Sequence, residues 1–241
     1  MTQHLRAECG LILTILFRQP GFWVPTVLFP AMLYAFFGVQ SGGGSWAANA
    51  MASFAIYAVL GVGFFQFGVS VAQDRESTFA TWQRSLPGHA ANPWIARILA
   101  SLIFVSLAVY LVIAVALMMT DITLSASTWT RLALVCLLAT IPATVMGIAL
   151  GSVSSARAAV PIANLIFLPL AYLGGLWVPP IFMPAPIAAI SEWTPTRAMG
   201  ELGWAAINDT AWEPRQMLIL MGWSLLAIVV IFLSRARSKR L

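Results

Sequence analysis

Long apolar runs alternate with short polar connections along the whole chain. Six runs of about 20 residues contain no Asp, Glu, Lys or Arg, and helices of that length cross the hydrocarbon core of a bilayer. Because lipid offers backbone polar groups no partner, such runs should be helical. The predicted spans are residues 22–39, 50–71, 98–120, 132–153, 159–178 and 217–233. The pattern predicts an all-α polytopic protein, organised as one transmembrane domain over residues 1–241.

Composition agrees with this class. Hydrophobic residues make up 60% of the chain and charged residues only 9%, whereas soluble domains carry about 25% charged residues. The net charge of +5 comes from basic residues scattered between the runs, so no nucleic-acid interface is expected. Neither the two cysteines, Cys9 and Cys136, nor the two histidines, His4 and His89, have metal-binding or disulfide spacing.

The basic residues also predict a direction of insertion. With the N-terminus in the cytoplasm, only Arg131, Arg197 and Arg215 are external, and ten others face inward. The inward ten are Arg6, Arg18, Arg75, Arg84, Arg97, Arg157, Arg235, Arg237, Lys239 and Arg240. This positive-inside bias places both termini in the cytoplasm.

The connections carry patterns of their own. Residues 1–21 place Leu5, Cys9, Ile12 and Leu16 at helical spacing, which indicates an amphipathic helix in the cytoplasmic interface, the alternative being a disordered leader. The external segment 179–215 is rich in apolar residues and cut by prolines. Since it is too apolar to stand in water, one or two short helices dipping into the outer leaflet are expected.

The cytoplasmic loop 73–97 presents an exposed apolar face. Phe79, Trp82 and Leu86 follow one another at three- and four-residue spacing, and Pro87 with Gly88 ends the helix they form. Such a face is expected to pack on the membrane surface or on a partner.

The fourth span carries a row of small residues four positions apart. They are Ala139, Ala143, Gly147, Gly151 and Ser155. Small residues let helix backbones approach closely, so this face is expected to pack within the subunit, or against a second copy.

Several kinds of chemistry are missing. The chain has no phosphate loop and its single lysine is Lys239, so it is not expected to bind ATP, and no catalytic or metal motif occurs. No Asp, Glu, Lys, Arg or His lies within a predicted span, although proton-coupled carriers and pumps usually need one. If the protein moves a substrate, the energy is expected to come from another subunit.

Three stretches together resemble the membrane subunit of type-2 ABC transporters, a permease family of bacterial exporters. They are residues 16–23 (LFRQPGFW) with 28–30 (LFP), residues 75–78 (REST) with Pro87, and residues 174–179 (GGLWVP) with 183–184 (MP) and 193–195 (WTP). One position departs from the family pattern, because Thr78 stands where the family commonly has glycine two residues after the loop glutamate.

The resemblance implies how the chain is driven. The loop helix, residues 74–86, would rest as a coupling helix in a groove of a separate ABC ATPase, which would bind ATP and Mg²⁺. The coupling residues would be Asp74, Arg75, Glu76, Phe79, Trp82 and Arg84. Glu76 would stabilise the start of this helix and pair with a basic group on the ATPase or the N-terminal helix; alternatively it is an ordinary first-turn acid.

The resemblance also implies a substrate path between two permease subunits, identical or paralogous, along the second and fifth spans. The candidate path residues are Phe64, Phe65, Gln66, Phe67, Asn164 and Phe167. The expected function is export of a hydrophobic or amphipathic substrate, such as a drug, antibiotic, lipid or glycan-lipid, across a bacterial plasma membrane. The alternatives are a non-transporting scaffold or sensor partner and, with less support, a gradient-driven carrier.

Overall fold

The computed structural model describes residues 2–41, 43–77 and 92–238, and every regular element in them is helical. The first half contains α1 (Thr2–Phe17), α2 (Pro20–Leu33), α3 (Ser45–Gly61), α4 (Ser70–Glu76) and α5 (Asn92–Met119). The second half contains α6 (Ala126–Val153), α7 (Ala159–Leu173), α8 (Ala185–Ser191), α9 (Pro195–Ile207) and α10 (Pro214–Ser238). A π-helix (Tyr34–Gly38) extends α2, and a second π-helix (Val62–Val69) joins α3 to α4.

Four helical stretches are long and apolar enough to cross a membrane. They are Ser45–Glu76, Ile95–Met119, Ala126–Val153 and Pro214–Ser234. The other two predicted spans are also helical, but their apolar stretches, Trp23–Gly38 and Ala159–Leu173, are shorter. The protein is therefore a multi-pass membrane protein whose described residues are helical and include four candidate spans by length and composition.

The predicted fifth span, residues 159–178, is wrong at its C-terminal end. The helix α7 stops at Leu173. Gly175 follows with φ of +73°, a left-handed conformation that glycine adopts without a Cβ penalty. Pro179 and Pro180 come next, and proline cannot continue a helix.

One continuous rod lies at the centre of the bundle. The rod consists of α3, the π-helix Val62–Val69 and α4. In its most apolar stretch of 18 residues, 89% of the residues are buried inside the protein. The helix α10 lies at the periphery, because only 6% of the residues in its most apolar 18-residue stretch are buried. Its outward side chains are apolar, for example Leu218 and Phe232, as expected for a helix surrounded by lipid.

Glycines bring the rod into backbone contact with α6. A Cβ built on Gly63 would lie 2.7 Å from the Ala143 carbonyl oxygen, and one on Gly147 would overlap the Gly63 carbonyl oxygen. A Cβ on Gly151 would likewise overlap the Gly68 carbonyl oxygen. Larger residues at these positions would push the two helices apart.

Ala143, Gly147 and Gly151 of the predicted row thus lie at this contact, and the remaining two residues of the row are Ala139 and Ser155. Ala139 is buried within α6, with 3% of its surface exposed. Ser155 lies beyond the end of α6 at Val153, where its hydroxyl accepts a hydrogen bond from the Ala158 N–H at 3.3 Å. Ser155 is exposed and therefore lies outside the glycine contact.

Candidate functional site

The first candidate region is the α4 end of the bundle, where Asp74, Arg75 and Glu76 close the central rod. The helix containing them runs from Ser70 to Glu76, and Ser77 is extended, with φ of −81° and ψ of 138°. The prediction of one helix over residues 74–86 is therefore wrong at its start. Asp74–Glu76 form the last turn of the rod rather than the first turn of a new helix.

Arg75 binds the C-terminal end of α6. Its guanidinium donates to the carbonyl oxygen of Gly151 at 3.1 Å and to that of Ser152. The last carbonyls of a helix have no intrahelical partner and carry partial negative charge, so a cation here satisfies both needs.

Asp74 and Glu76 make two further contacts with neighbouring segments, an ion pair and a hydrogen bond. The Arg97 guanidinium of α5 donates to the Asp74 carboxylate, forming an ion pair. The Glu76 carboxylate accepts a hydrogen bond from the Ala156 N–H, at 3.0 Å, in the connection between α6 and α7. Three consecutive side chains thus link the rod to α5, to α6 and to the segment that leads into α7.

The remaining predicted coupling residues, Phe79, Trp82 and Arg84, lie outside the described residues. The part of the chain that the structure describes ends on this side at Ser77 and resumes at Asn92.

The second candidate region is an aromatic cluster around Phe167 of α7. Its ring centroid lies 4.8 Å from that of Tyr57, 5.6 Å from that of Phe65 and 5.9 Å from that of Phe64. Trp177 extends the cluster, with its ring 5.9 Å from Tyr57. The structure therefore brings together three of the predicted path residues, Phe64, Phe65 and Phe167.

The other predicted path residues take different positions. Phe67 is buried but takes no part in these ring contacts, and Gln66 is also buried. The Asn164 amide donates to the Val160 carbonyl oxygen of its own helix at 3.2 Å. Of the six predicted path residues, only Phe64, Phe65 and Phe167 therefore belong to the cluster.

Tyr57 and Trp177 belong to the cluster but were missing from the predicted set. Tyr57 precedes Phe64 by seven residues, which is two helical turns, so it lies on the same side of the rod. That periodicity could have identified it. Trp177 follows the end of α7 by four residues and lies within the stretch 174–179 that carries part of the family resemblance.

The helix α9 packs along α3 at the end of the bundle opposite Asp74–Glu76. Asn208 and Asn49 exchange amide hydrogen bonds of 3.0 and 3.2 Å, and the Trp204 indole N–H donates to the Ser53 hydroxyl at 2.8 Å. Gly203 meets Ile56 further along, where a Cβ would lie 3.5 Å from Cγ1 of Ile56. Ile56 is about 16 Å along the helix from Ser45, at 1.5 Å per residue.

Charged side chains fasten the connections at the same end. Arg131 of α6 forms an ion pair with Asp209, donates to the Thr210 carbonyl oxygen, and lies over the Trp212 ring at 5.4 Å. The Arg215 guanidinium donates to Glu192 at 2.8 Å, and this bond holds the pKa of the Glu192 carboxyl below its ordinary value. These contacts join α6, α8 and α10 to the segments around α9.

The fold and these sites define a multi-pass membrane protein whose central rod is tied to its neighbours at one end and carries aromatic side chains along its length. The "ABC-2 type transporter" family matches residues 12–205, and the chain belongs to that family. Membership indicates a transport permease and implies an ABC ATPase as its partner.

A curated relative points the same way. The chain is 24% identical, over 188 residues, to the "Putative transport permease YvfS" of Bacillus subtilis (strain 168). The similarity covers 77% of this chain and 76% of the relative. No solved structure matches the chain.

Proposed function

We propose that this chain is the permease subunit of an ATP-driven exporter in a bacterial plasma membrane. A separate ABC ATPase binds ATP and Mg²⁺, and this chain binds neither. Two permease subunits, identical or paralogous, enclose the path. The substrate is hydrophobic or amphipathic, and it leaves the cytoplasm or the inner leaflet.

The main support for ATP-driven coupling is the set of hydrogen bonds and the ion pair that Asp74, Arg75 and Glu76 form with neighbouring helices. A displacement of the segment after Ser77 would pull on α5 through Asp74, on α6 through Arg75 and on the start of α7 through Glu76. An ATPase bound to residues 78–91 could therefore move several helices together without contacting them. In this proposal Phe79, Trp82 and Arg84 contact the ATPase, while Asp74, Arg75 and Glu76 transmit the movement.

The aromatic cluster supports an apolar substrate. Phe64, Phe65 and Phe167 meet Tyr57 between the rod and α7, and the rod is a π-helix at this point. Long π-helices are rare, and single π-helical turns frequently mark functional sites. Rings here could line a path for a hydrophobic group by exchanging contacts with one another for contacts with the substrate.

The chain is further proposed to cross the membrane six times, with both termini in the cytoplasm, although the helix α7 is short for a crossing. The 15 residues of α7 extend about 22 Å, less than the roughly 30 Å of the hydrocarbon core. The contact between α9 and Ile56, about 16 Å along α3, supports a segment that re-enters the membrane from outside and completes this crossing. In the same proposal α1 lies in the cytoplasmic interface.

Coupling is tested with the chain and its ATPase reconstituted in liposomes. The variants Arg75→Ala and Glu76→Ala should insert normally but lower ATP-driven transport about fivefold or more, because the ties to α6 and α7 are lost. Asp121→Ala is the matched control, since Asp121 is exposed in the connection between α5 and α6. Wild-type transport in both coupling variants would remove the assigned role of the α4 end.

Partnership and direction are tested separately. The chain purified in mild detergent should carry an ABC ATPase with it, and inside-out vesicles should accumulate substrate only when ATP is added. Activity in liposomes that contain no nucleotide would contradict ATP-driven export. A complex that lacks any ATPase but contains a receptor kinase would favour the scaffold alternative.

A further inference from the structure

An exposed ion pair stands beside an exposed tryptophan where the end of α8 meets the start of α10. Arg215, the second residue of α10, donates to the Glu192 carboxylate at 2.8 Å, and both side chains are 50% exposed. The Arg215 guanidinium also lies over the ring of Trp193, 5.4 Å from its centroid, and Trp193 is 67% exposed. Because all three side chains are accessible, they can contact a ligand as well as one another.

The helix α10 places this pair at the membrane surface. The candidate span Pro214–Ser234 begins at this end, and most of its surface faces lipid. Arg215 lies two residues before the apolar run 217–233. Trp223, about 12 Å further along the helix, donates from its indole N–H to the Trp193 carbonyl oxygen at 2.9 Å. Trp193 therefore lies on the hydrocarbon side of Arg215, at the level where membrane proteins commonly place tryptophan.

An apolar strip runs along α10 from Arg215 into the hydrocarbon. Leu218, Gly222 and Leu226 follow Arg215 by three, seven and eleven residues, so they lie on the same face of the helix. Leu218 and Leu226 are exposed, and a Cβ built on Gly222 would meet no atom within 4 Å. An acyl chain fits this open space while its headgroup lies beside Arg215. Since the strip continues the lipid-facing surface of α10, its occupant is a membrane lipid.

The charges at this end select the headgroup. The Arg215 guanidinium uses one of its five N–H donors on Glu192, which leaves donors for a phosphate. The carboxylates of Glu201 and Glu213 also interact electrostatically with Arg215. Glu201 is already paired with Arg197, so Glu192 and Glu213 together outnumber the single charge of Arg215. These surroundings disfavour a lipid with a net negative charge and favour one that also carries a cation.

We propose that Arg215, Glu192 and Trp193 bind a phospholipid whose headgroup carries both a phosphate and a primary ammonium group, as in phosphatidylethanolamine. Arg215 donates to the phosphate, and the ammonium group donates to the carboxylates of Glu192 and Glu213. A quaternary ammonium group, as in phosphatidylcholine, has no N–H to donate, so the site prefers the primary amine. The acyl chains follow the strip at Gly222 and pack against Trp193. The proposal does not depend on the direction of transport or on the ATPase.

The test is native mass spectrometry of the full chain, released from nanodiscs that contain equal amounts of phosphatidylethanolamine, phosphatidylcholine and phosphatidylglycerol. Phosphatidylethanolamine should be enriched among the bound lipids. When its N-methyl or N,N-dimethyl derivative replaces it, the enrichment should fall stepwise, because each methyl group removes one N–H donor. This series uses the wild-type chain alone and therefore does not depend on the folding of a variant.

Variants locate the site. Arg215→Gln and Glu192→Gln each remove one charge from the exposed pair, and each should weaken phosphatidylethanolamine binding about fivefold or more, the effect of one lost hydrogen bond to a charged group. Arg18→Gln and Asp121→Asn are the matched controls, because both residues are exposed and lie in the α1–α2 and α5–α6 connections. Both controls should bind the lipid like the wild-type chain.

Three results would overturn the proposal. The first is equal binding of phosphatidylethanolamine and phosphatidylcholine by the wild-type chain. The second is an enrichment that both site variants leave unchanged, which would place the bound lipid elsewhere. The third is preferential binding of phosphatidylglycerol, which would show that Arg215 makes this end a site for anionic lipid.

Discussion

Replacing Gly147 by alanine tests the backbone contact between the central rod and α6. The new Cβ would overlap the Gly63 carbonyl oxygen, and it would also lie 3.3 Å from the Gly68 amide nitrogen. Both neighbours are main-chain atoms, so the clash cannot be relieved by turning a side chain. The helices must separate, and such overpacking typically costs about 1–3 kcal/mol.

A second substitution isolates that cost. Gly222 of α10 has no atom within 4 Å of a Cβ built on it, so Gly222→Ala is free of steric conflict. Both variants gain about 0.8–1.0 kcal/mol of helix propensity, because alanine replaces glycine inside a helix. The difference between their free energies of unfolding therefore measures the packing term alone, and we expect Gly147→Ala to be the less stable variant by about 1–3 kcal/mol.

The assay is reversible unfolding in mixed micelles, followed by far-UV circular dichroism as the fraction of denaturing detergent rises. Gly222→Ala should match or exceed the wild-type chain, and Gly147→Ala should unfold at a lower detergent fraction. Equal stability of the two variants would refute the reasoning, because it would mean that no close contact exists at Gly147.

Further predictions concern other contacts. Trp204→Phe should lower the free energy of unfolding by about 0.6 kcal/mol, the average for a hydrogen bond between membrane helices, whereas the exposed Trp46→Phe should not change it. Because Arg215 lowers the Glu192 pKa, this pair should stabilise the protein above the ordinary carboxyl pKa of about 4.3 and lose that effect as pH falls through the folded-state value; an unchanged pH profile in Glu192→Gln would contradict this. Glu76→Ala should speed deuterium exchange at the Ala156 amide, and unchanged exchange would show that the bond does not form in the membrane. Buried Cys136 should resist maleimide in the folded protein and react after unfolding, while partly exposed Cys9 should react in both states.

The helical class and the position of most helices could be predicted from the sequence, because lipid imposes one simple rule on apolar runs. Leu132–Val153, for example, lies within α6, and an uninterrupted apolar run hardly allows another structure. Helix ends were predicted less well. The turn at Gly175 depends on backbone conformation, which hydropathy does not report.

Candidate site residues could be predicted only in part. The Phe64 and Phe65 contacts with Phe167 follow from three aromatic residues on neighbouring helices. The partners of Arg75 and Glu76 could not be predicted, because they are main-chain atoms of Gly151, Ser152 and Ala156. Every residue has a carbonyl oxygen, and every residue except proline has an N–H. The residue types of a partner segment therefore do not reveal a hydrogen bond to its main chain.

The use of main-chain partners affects which amino-acid substitutions the protein can tolerate during evolution. A tie between two side chains is lost when either residue mutates, whereas the ties of Arg75 and Glu76 depend on the identity of one residue each. Substitutions at Ser152 or Ala156 that keep the backbone course leave these ties intact. These two contacts therefore place no requirement on which side chains stand at positions 152 and 156, and the link between the rod and this part of the chain persists when those side chains change.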